Sequence, residues 1–535
     1  MVDSDQKDGM WMGSPGRRSP GRALLLAAAS SVLPGVAHFA TGRRRTGSAI
    51  LAAAVAAAAL VAVVALRMTR RDFLRLAVQP SWLTGLAVTA VAVAVVWVAL
   101  VLWSYRVAAP APTRGWRRVG VAATLTVLSV VVTAPPLLVT RYAFVQRSLI
   151  NDVFADDSAT AVDPADPGST VLPQAAGRGA AVATDPWAGR DRLNILLAAS
   201  DAGPDRTGTR TDSLVVASID VHTGNVVLIS LPRNLQHVPL PAGPLRQAWP
   251  NGFPDLLNAV YQRVTEQSRL LAGARDRGAA AIKAVVGGIL GLHVDYYAMA
   301  DLEGFQRFVD ALGGLTLTVT DRLPIGGLLA DGTRVPPIGY IEPGRQRLNG
   351  YRALWYARSR RDTTDYDRMA RQRCVIGALV RQANPMTVLR NFTALASATK
   401  GLVSTDIPRS LLPRLVDLAD LVRTDGRIRS LQFVPPLIST ADPDFALIRS
   451  TVTSALAAPA TAAPATATPT RTRASGALPP TTSTATHPPT PTATGSPTAT
   501  GSATATGSAT AASSATASGG SAGPVQEVDQ VCGLG

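Results

Sequence analysis

Lysine is nearly missing from this chain: Lys7, Lys283 and Lys400 are the only ones among 52 basic residues. Arginine supplies the rest, a bias that GC-rich coding produces without any functional meaning. The net charge of +16 is therefore weak ground for nucleic-acid binding. No zinc-finger, RNP or basic-zipper pattern accompanies it, and many arginines flank apolar spans, where membrane topology explains them. Histidine is scarce too, and His222, His237 and His293 have no metal-ligand spacing. No Ser/His/Asp or Cys/His set is present, which argues against hydrolysis through a covalent intermediate. Cysteine is limited to Cys374 and Cys532. An even count in a domain outside the cytoplasm suggests a bridge, which would pin residues 525–535 back onto that domain.

Long apolar runs are abundant at the start of the chain. Segments 48–66, 82–104 and 118–139 are each long and apolar enough to span a bilayer. Segment 23–40 is weaker, with Ser30-Ser31 in its middle and Pro34, Gly35 and His38 beyond, and reads as a short hairpin or re-entrant piece. Three crossings with the N-terminus inside put Arg43–Arg45, Arg106, Arg114 and Arg117 in the cytoplasm and only Arg67, Arg70, Arg71 and Arg75 in the outer loop. That count places everything after Val139 outside the plasma membrane. The apolar spans repeat and no small-residue cleavage motif stands out, so no signal peptide is expected.

The 535 residues divide by composition. The expected order is a cytoplasmic N-terminus (1–22), a membrane region (23–140), a linker (141–190), a globular domain (191–383), a helical extension packed on it (384–456), a disordered Ala/Thr/Ser/Pro-rich tail (457–524) and a cysteine-containing segment (525–535). The tail is too poor in large apolar groups to offset the entropy of ordering.

Within the globular part, 193–199 reads as a buried strand, and 213–220 and 225–231 flank His222-Thr223-Gly224 as a hairpin. Asp201 then follows the first strand, Asp212 opens the second and Arg233 follows the third. The order continues with a helix at 279–292, a strand at 295–300, a helix at 302–312 and a strand at 315–319. A helix at 350–357 delivers Arg358 and Arg360. A further helix at 367–382 carries Arg368, Arg371 and Gln372 on one face. Helices at 408–422 and 443–456 bracket a strand at 428–434. Interspersed strands and helices imply a mixed sheet with helices packed on it. Arginines converging among acids suit a multiply charged phosphate held partly by a metal ion.

Several stretches, taken in order, resemble the LytR-CpsA-Psr (LCP) family. They are NILLAASD (194–201), RTDS (210–213), ISLPRN (229–234), DYYAMADLEGF (295–305), VDALGGL (309–315), LNG (348–350), YARSR (356–360) and DYDRMARQR (365–373). The resemblance implies an α/β/α layered domain with a mixed central sheet, following the α-helical membrane region and preceding the disordered tail. It implies an extracytoplasmic, multi-pass membrane-anchored phosphotransferase. The expected partners are a polyprenyl-pyrophosphate-linked glycan and peptidoglycan, with no nucleic acid. The matching positions make Asp201 and Asp212 the acids associated with Mg²⁺ (or Mn²⁺). Arg210, Arg233, Arg358 and Arg360 become pyrophosphate-binding, Arg368 and Gln372 further site positions, and Asp365 a nearby acid. Arg233, Asp212, Arg358 and Arg360 are the expected catalytic set, and the general base is left open between Asp212 and Asp201. The chain departs from the family pattern at Asn234, where PRD becomes PRN, and at 256–261, where LLNAVY lacks a lysine but keeps Asn258. A lipid-pyrophosphate hydrolase, or a non-catalytic wall-binding or regulatory module, are the alternative functions.

Overall fold

The computed structural model describes residues 19–109, 115–156, 187, 189–201, 209–328, 333–383, 387, 391, 402–458 and 525–534. The N-terminus 1–18, residues 157–186 of the expected linker and the tail 459–524 lie outside these described residues.

Six helices come first: α1 (Pro20–Val32), α2 (Val36–Ala40), α3 (Arg44–Arg67), α4 (Arg70–Ala77), α5 (Pro80–Ala108) and α6 (Trp116–Val153). Of these, α3, α5 and α6 are long and apolar enough to cross a membrane. Segment 23–40 folds as α1, a turn through Gly35 at φ +100°, and α2. At 13 residues, α1 is about 20 Å long, short of a bilayer's hydrocarbon core of roughly 30 Å. It packs on α5, where the Trp97 indole donates to the Ser31 carbonyl at 3.1 Å.

The linker expected from 141 onward begins later than composition suggested. Helix α6 runs 38 residues, about 57 Å, so it outlasts a bilayer core and continues through Val153. Beyond it Ala155 donates to the Ile407 carbonyl at 3.0 Å and accepts from Arg409. Arg275 donates to the carbonyls of Asp152 and Phe154. The chain therefore docks directly on the globular part. Helix α4, between two candidate spans, docks there as well: Arg71 pairs with Asp420 at 2.8 Å and Arg75 with Asp417 at 2.7 Å.

The globular part is built on β1 (Arg192–Ser200), β2 (Thr211–Asp220), β3 (Val226–Leu231), β4 (Tyr296–Ala300), β9 (Val403–Thr405), β10 (Ile428–Gln432) and β11 (Val525–Glu527). They form one mixed sheet in the order β11-β10-β3-β2-β1-β4-β9. The β1–β4 and β3–β10 pairs are parallel and the others antiparallel. Smaller antiparallel pairs join β5 (Leu315–Val319) to β8 (Gly344–Leu348) and β6 (Leu323–Leu328) to β7 (Arg334–Ile341). The intervening helices are α7 (Pro244–Ala248), α8 (Val260–Glu266), α9 (Arg277–Leu290), α10 (Leu302–Ala311), α11 (Gly350–Arg358), α12 (Asp365–Gln382), α13 (Leu412–Thr424), α14 (Phe445–Ala457) and α15 (Val528–Val531).

Alternate residues of the central strands feed two apolar layers. Leu196, Val216 and Ile229 face α8, α9 and α14, whereas Leu193, Val215 and Leu228 face α12, α13 and the β5–β8 pair. This is the expected α/β/α arrangement. Helix α9 belongs to the first layer and is buried along nearly its whole length. Its Lys283, 6% exposed, is matched by Asp406 at 2.6 Å.

The expected boundary at 383 is corrected by the sheet. Residues 403–405 and 428–432 are not an appended helical extension, because β9 forms one edge and β10 lies inside the sheet beside β3. The strand at 428–434 was expected, but its parallel pairing with β3 is a long-range contact that leaves no local pattern, and the three-residue β9 is too short to show period-two alternation.

Candidate active site

The candidate site forms where β1 and β3 end and β2 begins. Antiparallel pairing brings Ser200 opposite Thr211 and Leu214 opposite Leu231. Asp201, Asp212 and Arg233 therefore collect at one end of three adjacent strands. Arg210 donates its N–H to Asp201 Oδ1 at 2.8 Å, and Asp201 donates its own to the Arg210 carbonyl at 3.0 Å, which holds the two residues together.

Helix α12 brings the opposing half. Thr364 caps it and exchanges bonds with Asp367 in a capping box, so Asp365 and Arg368 start a well-defined first turn. The Arg368 guanidinium, 3% exposed, donates to the Asp212 carbonyl oxygen at 2.8 Å and pairs with Asp365 Oδ2 at 3.0 Å. Arg233 joins both acids: Nη1 lies 2.5 Å from Asp212 Oδ1 and Nη2 lies 3.3 Å from Asp365 Oδ1. Arg360 approaches Asp365 at 3.9 Å. One network thus unites Asp212, Arg233, Arg360, Asp365 and Arg368, residues up to 156 positions apart in sequence.

Other candidate residues sit around this network. Asn258 is 5% exposed, its N–H donates to the Arg233 carbonyl at 3.0 Å, and its Oδ1 has no partner among the described residues. It therefore props the backbone that carries Arg233. Asn234 donates to Thr440 at 3.4 Å, so the residue replacing the family acid ties this turn to the loop after β10. Arg358 lies over the Trp355 ring at 4.9 Å. Gln372 donates to the Ala357 carbonyl at 3.4 Å and braces α12 against the end of α11.

The sequence placed Arg371 on one face of α12 without showing its role, and offered Gly350 only as part of LNG. Arg371 donates to the carbonyls of Tyr356 and Ser359 and to Thr363, so it folds the loop that presents Arg358 and Arg360. Gly350 begins α11 against the backbone of α10, where a Cβ would lie 2.0 Å from the Gln306 carbonyl oxygen. The LNG tripeptide carried that second signal, since no larger residue fits so close an approach.

The charges decide the protonation state. Burial pushes the Asp212 carboxyl up, but Arg233, Arg368 and Arg360 outweigh it and hold the group below the usual carboxylate range. Arg233 is lowered by burial, and Asp212 and Asp365 more than reverse this. Burial draws Arg368 down, with partial compensation from Asp365; an arginine nevertheless stays charged. A depressed carboxyl contributes stability that is present above its unfolded value and lost as pH falls through its folded value. Activity that needs ionised Asp212 should therefore keep its acid limb below the ordinary carboxylate range. A pH–rate profile checks this, and an acid limb near neutrality attributable to Asp212 would contradict it.

No group of three or more His, Cys, Asp or Glu side chains able to hold a metal occurs among the described residues. Mg²⁺ commonly binds through one or two carboxylates together with phosphate oxygens and water. Asp201 and Asp212 at adjacent strand ends fit an ion that arrives with a phosphate substrate, and do not make a self-sufficient cage.

The model of the LytR_cpsA_psr family matches residues 158–435, just over half of the chain. The chain belongs to the LytR-CpsA-Psr family. Biofilm regulatory protein A of Streptococcus mutans is 27% identical over 240 residues, covering 43% of this chain and 54% of its own length. Cell wall biosynthesis protein LcpA of Corynebacterium glutamicum is 29% identical over 212 residues, covering 38% and 39%. The polyisoprenyl-teichoic acid–peptidoglycan teichoic acid transferase TagU of Halalkalibacterium halodurans is 24% identical over 220 residues, covering 41% and 62%. The chain thus spans less than two thirds of the length of these curated relatives. The matched residues 158–435 include the strands and helices that carry the charged network.

Proposed function

We propose that this LCP protein is a membrane-anchored, extracytoplasmic phosphotransferase that moves a glycopolymer from a polyprenyl-pyrophosphate carrier to peptidoglycan. The observation that carries this reading is the convergence of Arg233, Arg360 and Arg368 around Asp212 and Asp365 at the strand ends. A diphosphate diester carries two negative charges, and guanidinium forks bind such oxygens in fixed geometry. The name of TagU describes a transfer of teichoic acid from a polyisoprenyl carrier to peptidoglycan, the same chemistry. Three apolar helices and the basic residues beside them support a multi-pass anchor with the domain outside.

Catalysis in this reading consists of positioning and charge stabilisation. Arg233 and Arg368 hold the diphosphate, and Arg360 neutralises charge that grows on the departing phosphate. A carboxylate, Asp212 or Asp201, takes the proton from the acceptor hydroxyl. The hydroxyl oxygen forms a new P–O bond to the glycan-linked phosphorus, and the bridging P–O bond breaks. A phosphodiester and polyprenyl phosphate result. Mg²⁺ or Mn²⁺ held by Asp201 and Asp212 would screen those acids from the phosphates.

Full-length protein in a bilayer, given a synthetic lipid-linked saccharide diphosphate and peptidoglycan oligomers, tests the proposal. A phosphodiester-linked product with release of polyprenyl phosphate is expected. Free phosphorylated saccharide alone would make the protein a hydrolase, and no turnover would favour a binding module.

A further inference from the structure

The C-terminal segment returns to the domain and grips one helix. Strand β11 pairs with the edge of β10, placing Gln526 opposite Ser430. From there the segment follows α12. Gln526 Oε1 accepts from Arg373 Nη1 at 2.7 Å, and Cys532 is bonded to Cys374. Val528, fully buried, fills the notch left by Gly377, where a Cβ would lie 2.6 Å from Val528 Cγ1. Asp529 pairs with Arg381 at 2.6 Å. Positions 373, 377 and 381 recur every four residues, and Cys374 adjoins them, so the contacts form one stripe along α12. The first turn of this same helix carries Asp365 and Arg368.

Arg373 is the least explained charge on that stripe. It is 7% exposed, and its side-chain partners among the described residues are neutral oxygens: Ser430 Oγ at 3.1 Å and Gln526 Oε1. Its Nε has no partner among the described residues. A buried guanidinium so sparsely matched depends strongly on each acceptor it has. Without Gln526 it keeps the Ser430 hydroxyl, and tilting α12 toward water would relieve the loss. Any such tilt moves Arg368, one and a half turns away, off the Asp212 carbonyl.

We propose that residues 525–534 are a positioning element of the active site, in which Gln526 caps the buried Arg373 and so keeps Asp365 and Arg368 aligned with Arg233 and Asp212. The proposal rests on the phosphotransfer reading and adds Gln526 and Arg373 to it as positioning residues. The test uses the full-length protein with the Cys374–Cys532 bond confirmed by thiol titration. Gln526→Leu, which removes the acceptor, should lower kcat about tenfold with KM within about twofold. Gln526→Glu, which keeps an acceptor oxygen, should retain kcat within about threefold. Hydrogen exchange in 365–372 should accelerate in the leucine variant only. Equal kcat in the leucine variant and the parent, or equal losses in both variants, would overturn the proposal, as would unchanged exchange. Because exchange is read without substrate, a parent protein that transfers nothing would sink the functional reading and still leave Gln526 to be judged.

Discussion

Arg233→Ala is expected to lower kcat for transfer by about a thousandfold, the upper end of what loss of one preorganised charge-stabilising donor costs. Among the described residues, Arg233 is the guanidinium that pairs with the side-chain carboxylates of both Asp212 and Asp365. Its loss leaves two carboxylates facing each other with fewer positive neighbours, so both repel an incoming diphosphate. The Asp212 carboxyl also loses its nearest cation, and its pKa should rise toward or past the ordinary value. Arg233→Lys restores a point charge but not the fork that reaches two acids at once, so it should recover only part of the rate. Steady-state kinetics on the purified full-length protein, with circular dichroism to show retained structure, makes the measurement. A folded Arg233→Ala protein with parental kcat would show that the reaction occurs elsewhere.

The second large effect concerns stability. Replacing both cysteines, Cys374→Ser with Cys532→Ser, is expected to cost about 2–5 kcal/mol, at the upper end because the bond closes a long loop. The two residues are 158 positions apart with Cα atoms 5.3 Å apart. For a domain of this size the cost corresponds to a fall in Tm of roughly 5–15 °C. Thermal unfolding followed in detergent, with and without reductant, tests it. The parent with reductant should approach the variant, and an unchanged Tm in both would show that the bond stabilises nothing. Strand β11 and the Arg381–Asp529 pair remain in the variant, so partial docking of the segment is expected to persist.

The strongly patterned elements were legible in the sequence to within one or two residues. The hairpin of β2 and β3 follows from its apolar runs around Thr223-Gly224, and α9, α10 and α12 follow from their periodicity or apolar length. Asp212, Arg233, Asp365 and Arg368 were nominated from motifs and meet in one network. The short pieces escaped. Strands β9 and β11 are three residues each and exist only because an edge was there to pair with. The role of Arg371 escaped as well, since its partners are chiefly main-chain carbonyls that any sequence would supply.

Sequence alone determined the kind of protein this is: apolar spans, an ordered set of charged motifs that marks the family, and a single pair of cysteines. These are matters of composition and of local order along the chain. Tertiary structure decided which charges face one another, that α6 and α4 dock on the domain, and that the last ten described residues complete the sheet and brace α12. Such contacts depend on strand register and helix placement, which arise from packing across distant parts of the chain and leave no local pattern to read.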